Sequence, residues 1–66
     1  MNMQPVKSDK IDAIGYDEQM LKMRVCFYTE PPRDFLHVPK EIFMLFLNAR
    51  SKNRFYKRHI ADNFPC

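Results

Sequence analysis

The chain is short of nearly everything that marks a secreted mini-protein, a membrane protein or a disordered tail. It has 66 residues and two cysteines, Cys26 and Cys66. A disulfide-stapled secreted domain of this size carries four or more. A reducing compartment with two free thiols is therefore the expectation, and a Cys26–Cys66 bridge is the disfavoured alternative. The longest apolar run, Ile42 to Leu47, is far shorter than the roughly 18 residues of a membrane span. The polar stretch Met1 to Lys10 lacks the apolar segment of a secretory signal. Together these absences point to the cytoplasm and away from a membrane. Glycine occurs once, at Gly15, and no repeat or low-complexity run interrupts the chain. With 45% hydrophobic residues, the composition is that of a folded protein rather than a disordered one.

What is present is one domain's worth of core. A chain this size buries only about 60% of the surface its unfolded form exposes, so its stability margin is thin and association would help it. Charge is unevenly spread. Residues 1–32 hold four Lys and Arg against five Asp and Glu, whereas residues 33–66 hold seven against three. The basic excess therefore lies in the C-terminal half.

Residues 1–7 read as a loose terminus, and Ile11 to Tyr16 as a short strand in which Gly15 marks a bulge or the start of a turn. Leu21, Met23, Val25 and Phe27 alternate with Lys22, Arg24, Cys26 and Tyr28, the cleanest two-residue period in the chain. Pro31-Pro32 removes two backbone donors and so predicts a connection, with Arg33 to His37 following as a third strand. Connections this short cannot cross over to make a parallel pair, so the strands form an antiparallel meander. Pro39 suits the first turn of a helix. The spacing of Ile42, Phe43, Phe46, Leu47 and Ala49 predicts that helix over 40–50, with Met44 and Leu45 leaving it apolar nearly all round. Ser51 is a suitable N-cap for a second helix over 52–61, with Phe55, Tyr56, His59 and Ile60 facing inward. The expected class is α+β: a three-stranded antiparallel meander followed by two helices on one face, βββαα, as a single domain over 1–66.

The strongest constellation is the stretch from Arg50 to His59, which holds five cations and no acid. On a helix, Arg50, Arg54 and Arg58 recur at four-residue spacing, with Lys57 beside Arg54. Such a stripe can follow phosphates at their own spacing, and neighbouring aromatic rings can stack on bases. The bland alternative is a solvated face with Phe55 and Tyr56 in the core. The candidate nucleic-acid-binding set is Arg33, Arg50, Lys52, Arg54, Tyr56, Lys57 and Arg58, with whichever of Phe35 or Tyr56 is exposed meeting bases or sugars. RNA is the expected ligand over DNA.

Other chemistries find little support. His37 and His59 have no cysteine or acid at metal-ligand spacing, so no metal and no cofactor are expected. Ser8 and Ser51 lack the glycines of a nucleophile elbow, and the acids are scattered, so no catalytic residues are assigned and a binding module is expected rather than an enzyme. The alternative to nucleic acid is a protein partner, a second copy included, docking on the apolar helix face 42–47 or on a sheet edge.

An ordered set of residues also carries a family resemblance. Val6-Lys7-Ser8 leads to Ile11, then to Ile14-Gly15-Tyr16-Asp17, then to Leu21, Val25 and Phe27. After Pro32 come Phe35, Val38-Pro39, Ala49, Ser51, Phe55-Tyr56, Ile60 and Phe64-Pro65. From about Val6 to Pro65 the chain resembles the KTSC domain, named after the C-terminus of certain lysyl-tRNA synthetases. The resemblance implies a stand-alone bacterial or phage domain of about this length. RNA binding has been suggested for the family from its attachment to a synthetase, which is context rather than mechanism. This sequence departs from the family's pattern at three places. The family's Tyr-x-Tyr falls on Arg33-Asp34-Phe35, the glycine before it on Glu30, and the glycine after Ser51 on Asn53. Any site built on those two tyrosine hydroxyls is thereby put in doubt.

Overall fold

A seven-residue strand, β2 (Ile11–Asp17), is the spine of the molecule. In the computed structural model, which describes residues 1–65, it pairs antiparallel on one side with β1 (Asn2–Pro5) and on the other with β3 (Lys22–Phe27). Strand β4 (Arg33–Phe35) closes the meander, giving a four-stranded sheet in the order β1-β2-β3-β4. Helix α1 (Lys40–Asn48) and helix α2 (Lys52–Phe55) follow, and α2 runs on without a break into a π-helical turn over Tyr56–Ile60.

The sheet has four strands, not the three expected, and the first lies inside the segment expected to be a loose terminus. The physical reason is at Gly15. A side chain at this position would collide with the Met3 sulfur and crowd the Met1 sulfur at 2.9 Å. The missing side chain is therefore what lets the two methionines lie across the outer face of β2. Gly15 is paired mid-strand between Met3 and Arg24. It does not form the bulge, which falls between Ile11 and Ala13 and leaves Asp12 as the extra residue. Pro5 ends β1 and blunts the free edge.

The β2–β3 turn is closed by the Asp17 carboxylate, which accepts from the Gln19 and Met20 amides at 3.1 and 3.3 Å. Leu21 then takes a left-handed conformation with φ 53° and stays exposed, so the alternation of β3 begins one residue later than its apolar pattern suggests. Met23 and Val25 are buried, and across from them Phe35 is buried too. His37, at φ 58°, ends β4 early, and the Val38 amide donates to the Leu21 carbonyl at 2.8 Å. Pro39 occupies the N-cap of α1, and its carbonyl accepts the first helical amide, from Ile42.

One face of the sheet carries the whole core. Ile11, Ile14, Met23, Val25 and Phe35 meet Val38, Phe43 and Phe46 around α1, and Tyr56 and Ile60 from the second helical segment. Tyr16 ties α1 down, its ring stacking on Phe43 at 5.0 Å and its hydroxyl donating to the Val38 carbonyl at 2.6 Å. On the opposite face Asp34 holds Arg24 through paired contacts of 2.7 and 3.0 Å and meets Lys22 at 3.3 Å. The Arg24 guanidinium, seconded by Lys22, keeps the Asp34 carboxyl below its ordinary pKa despite the opposing effect of burial. Cys26 is a half-buried free thiol, and Cys66 lies outside the described residues. No helix among the described residues is long and apolar enough to cross a membrane.

Candidate nucleic-acid interface

The basic stretch starts from a cap. The Ser51 hydroxyl accepts from the Arg54 amide at 3.3 Å and opens α2, as its residue type predicts. The chain then widens into the π turn, in which the Ala61 amide donates to the Tyr56 carbonyl at 2.9 Å. A π turn inserts one extra residue and changes which side chains share a face. Tyr56 and Ile60 point into the core, whereas Lys57, Arg58 and His59 are exposed together. His59 is therefore not inward-facing as expected, but packs over the half-buried Phe55 with ring centroids 4.6 Å apart.

The predicted cations divide into two groups. Arg50 precedes the N-cap and lies outside the helix, so the expected helical stripe does not extend to it. It nevertheless lines the same shallow depression as Arg54 and Arg58, beside Phe55 and His59. On the neighbouring side Arg54, Lys57 and Arg58 share an open surface with Ser51 and Asn53. Arg50, Arg54, Lys57 and Arg58 are all exposed, and no ion pair to any of them forms among the described residues. No direct ion pair among the described residues therefore neutralises these four side chains.

The other members are committed to the fold. The Lys52 ammonium donates to the Ala49 carbonyl at 2.7 Å, closing the end of α1. Arg33 donates through Nη1 to the Tyr56 hydroxyl at 3.1 Å and sits 5.5 Å from the centre of the Phe35 ring. Phe35 is fully buried and Tyr56 is 8% exposed, so neither ring offers a face to a base. Tyr56 is instead a core residue, flanked edge-on by Phe27 and Phe35 at 5.3 and 5.9 Å.

Sequence reasoning missed the residues that the fold brings to this surface from the other end of the chain. Lys7 and Lys10 belong to the half with an acidic balance, yet the β1–β2 connection runs beside the second helical segment. Lys7 lines a groove with Arg50 and Asn53, and Lys10 lines a cleft with Asn53 and Lys57. Asp9 borders both, and Glu30 also lines the cleft. Tyr28, 57% exposed, lines the same cleft as Lys10. The apolar signal in β3 ran into Tyr28, but nothing in the linear order connected it to residues 50–58.

Neither Glu30 nor Asn53, which stand where the resemblance expects glycine, has a positive φ, so these departures strain nothing.

A search of curated proteins finds no match to this chain. Among solved structures, the crystal structure of a KTSC domain protein from Yersinia pestis is similar to it, with a TM-score of 0.96 and 34% sequence identity. The match covers 98% of this chain and 92% of that one. The family model of the KTSC domain matches residues 7–64. Both findings span nearly the whole chain, and the chain belongs to the KTSC domain family.

Proposed function

We propose that this domain is a non-catalytic, cytoplasmic binding module that contacts nucleic acid, RNA in preference to DNA, through Arg50, Arg54, Lys57 and Arg58. The observation that carries this reading is that these four exposed cations lie together with no carboxylate in ion-pair reach among the described residues. Phosphates bound there displace condensed counterions, a large favourable term that falls steeply as salt rises. The carboxylates that do pair, Asp34 with Arg24 and Glu18 with Lys40, lie elsewhere and hold strands and turns together. The preference for RNA rests on the family's link to a tRNA synthetase and is an argument from context.

The test is fluorescence anisotropy with tRNA, single-stranded RNA and duplex DNA at low and moderate salt, repeated with Arg54→Ala/Arg58→Ala. Salt-sensitive binding that collapses in the double variant is expected. Absence of binding at low salt retires the reading.

A second reading has its own observation. Met44 and Leu45 are 46% and 57% exposed on the outward side of α1, beside Lys40, Glu41 and Asn48. This face suits a protein partner or a second copy of the chain. Light scattering across a concentration series, with Met44→Ser/Leu45→Ser as control, reads self-association directly.

A further inference from the structure

The basic surface explains phosphate contact but not what becomes of the bases, because the two rings expected to meet them are in the core. Phe55 is no substitute. Its ring is stacked on Phe46 at 5.4 Å and meets the tilted His59 ring at 4.6 Å. The ring that is open is Tyr28, which is more than half exposed and makes no ring contact among the described residues. Its backbone is pinned, since the Tyr28 amide donates to the Lys10 carbonyl at 3.2 Å. It forms one wall of a cleft of about 280 Å³. Asn53 and Lys57 from the second helical segment line it too, as does the edge-on pair of Phe27 and Tyr56.

We infer that this cleft seats one unpaired base of a single-stranded nucleic acid, stacked on Tyr28, while the adjoining phosphates lie on Lys57, Arg54 and Arg58. The inference rests on the reading of the basic surface given above and names the form of its ligand. Three features carry it. The first is size: the cleft falls just under the roughly 300–1,000 Å³ of small-molecule pockets, which is room for a single base and not for a duplex. The second is charge. Asp9 and Glu30 line the cleft with Lys10 and Lys57, so its interior is not a phosphate site. Carboxylates repel phosphate but accept the N–H donors on a base edge, and Asn53 can both donate and accept. The third is continuity. Lys57 and Asn53 line this cleft and also the open basic surface of Arg54 and Arg58, so a strand leaving the cleft passes directly onto uncompensated cations. In a duplex the base faces are stacked inside, so only an unpaired base reaches Tyr28.

The test measures the affinity of wild type, Tyr28→Ala, Tyr28→Phe and Arg54→Ala/Arg58→Ala for a short single strand and for the same sequence as a duplex. RNA and DNA strands are both run, since the inference requires the same Tyr28 dependence of whichever binds. Loss of one stacked base weakens binding by about five- to 150-fold. Tyr28→Ala is expected to show that loss on the single strand with the duplex affinity unchanged, and Tyr28→Phe to retain single-strand binding because the ring remains. A circular-dichroism melt of Tyr28→Ala matching wild type confirms that the loss is not unfolding. If Tyr28→Ala binds the single strand as wild type does while the arginine double variant fails, the cleft inference is overturned and the phosphate surface stands. If wild type binds neither form at low salt, both fall.

Discussion

The two helical segments meet the same sheet with opposite outer faces. Each sends two residues into the core, Phe43 and Phe46 from α1 and Tyr56 and Ile60 from the second segment. Outward, α1 shows Met44 and Leu45, whereas the second segment shows Arg54, Lys57 and Arg58. Burial therefore explains why both segments are helical, and the outer faces are where they differ in chemical character, one apolar and one basic. Inward changes are therefore expected to act on stability and outward changes on the binding proposed above.

The largest break in the comparison is Phe46→Ala. Phe46 is fully buried and stacks on Phe55, joining the two helical segments. Truncating a buried Phe costs about 3–5 kcal/mol, which is comparable with the whole stability of a small domain. The thermal transition followed by circular dichroism is expected to broaden severely or vanish. Leu45→Ala, one residue away on the outer side, is expected to stay within about 0.5 kcal/mol of wild type.

Arg54→Ala/Arg58→Ala sharpens the other half. Its melting temperature is expected to stay close to wild type, because neither side chain is buried or paired among the described residues. The slope of log affinity against log salt is expected to flatten by about 1.4–1.8, as two phosphate contacts are lost. An equal loss of stability and affinity would erase the distinction between faces.

Tyr16→Phe is expected to cost about 1–3 kcal/mol, because it leaves the Val38 carbonyl without its donor while the ring still packs on Phe43. Urea unfolding measures it. The smallest effect lies at Asp34, on the sheet face away from the core. Its folded pKa is lowered, chiefly by its hydrogen bond with Arg24, so its contribution to stability is complete above the ordinary carboxyl value near 3.9 and is lost as pH falls through the folded value. Asp34→Asn is expected to be slightly less stable than wild type at neutral pH, and the two to converge in acid. Melting temperatures across an acid titration decide it.

Legibility followed the strength of local patterns. The α1 helix was readable because its apolar spacing spans two turns, and β3 because four apolar residues alternate. Ser51 was readable because a hydroxyl before a helix has a specific amide to cap. Strand β1 was not readable. It is short and mostly polar, and its reason for pairing, the space over Gly15, lies twelve residues away from Met3. The inward set of the second segment was only partly readable, since the π turn breaks the period on which Phe55, Tyr56, His59 and Ile60 were grouped. Of the expected binding residues, Arg50, Arg54, Lys57 and Arg58 reach one surface, whereas Lys52, Arg33 and Tyr56 are held by partners that no local pattern reveals.

By itself the sequence determined the class of the fold, its family and the concentration of positive charge at residues 50–58, because apolar period, residue order and charge are properties of neighbouring positions. The tertiary structure alone decided which of those cations stay open to solvent and which are spent on carbonyls and rings. It also brought Lys10 and Tyr28 beside Lys57. That meeting depends on how strand pairing folds the β1–β2 and β3–β4 connections against the second helical segment, which brings together residues 47 and 29 positions apart in the 66-residue chain, separations that no spacing along it records.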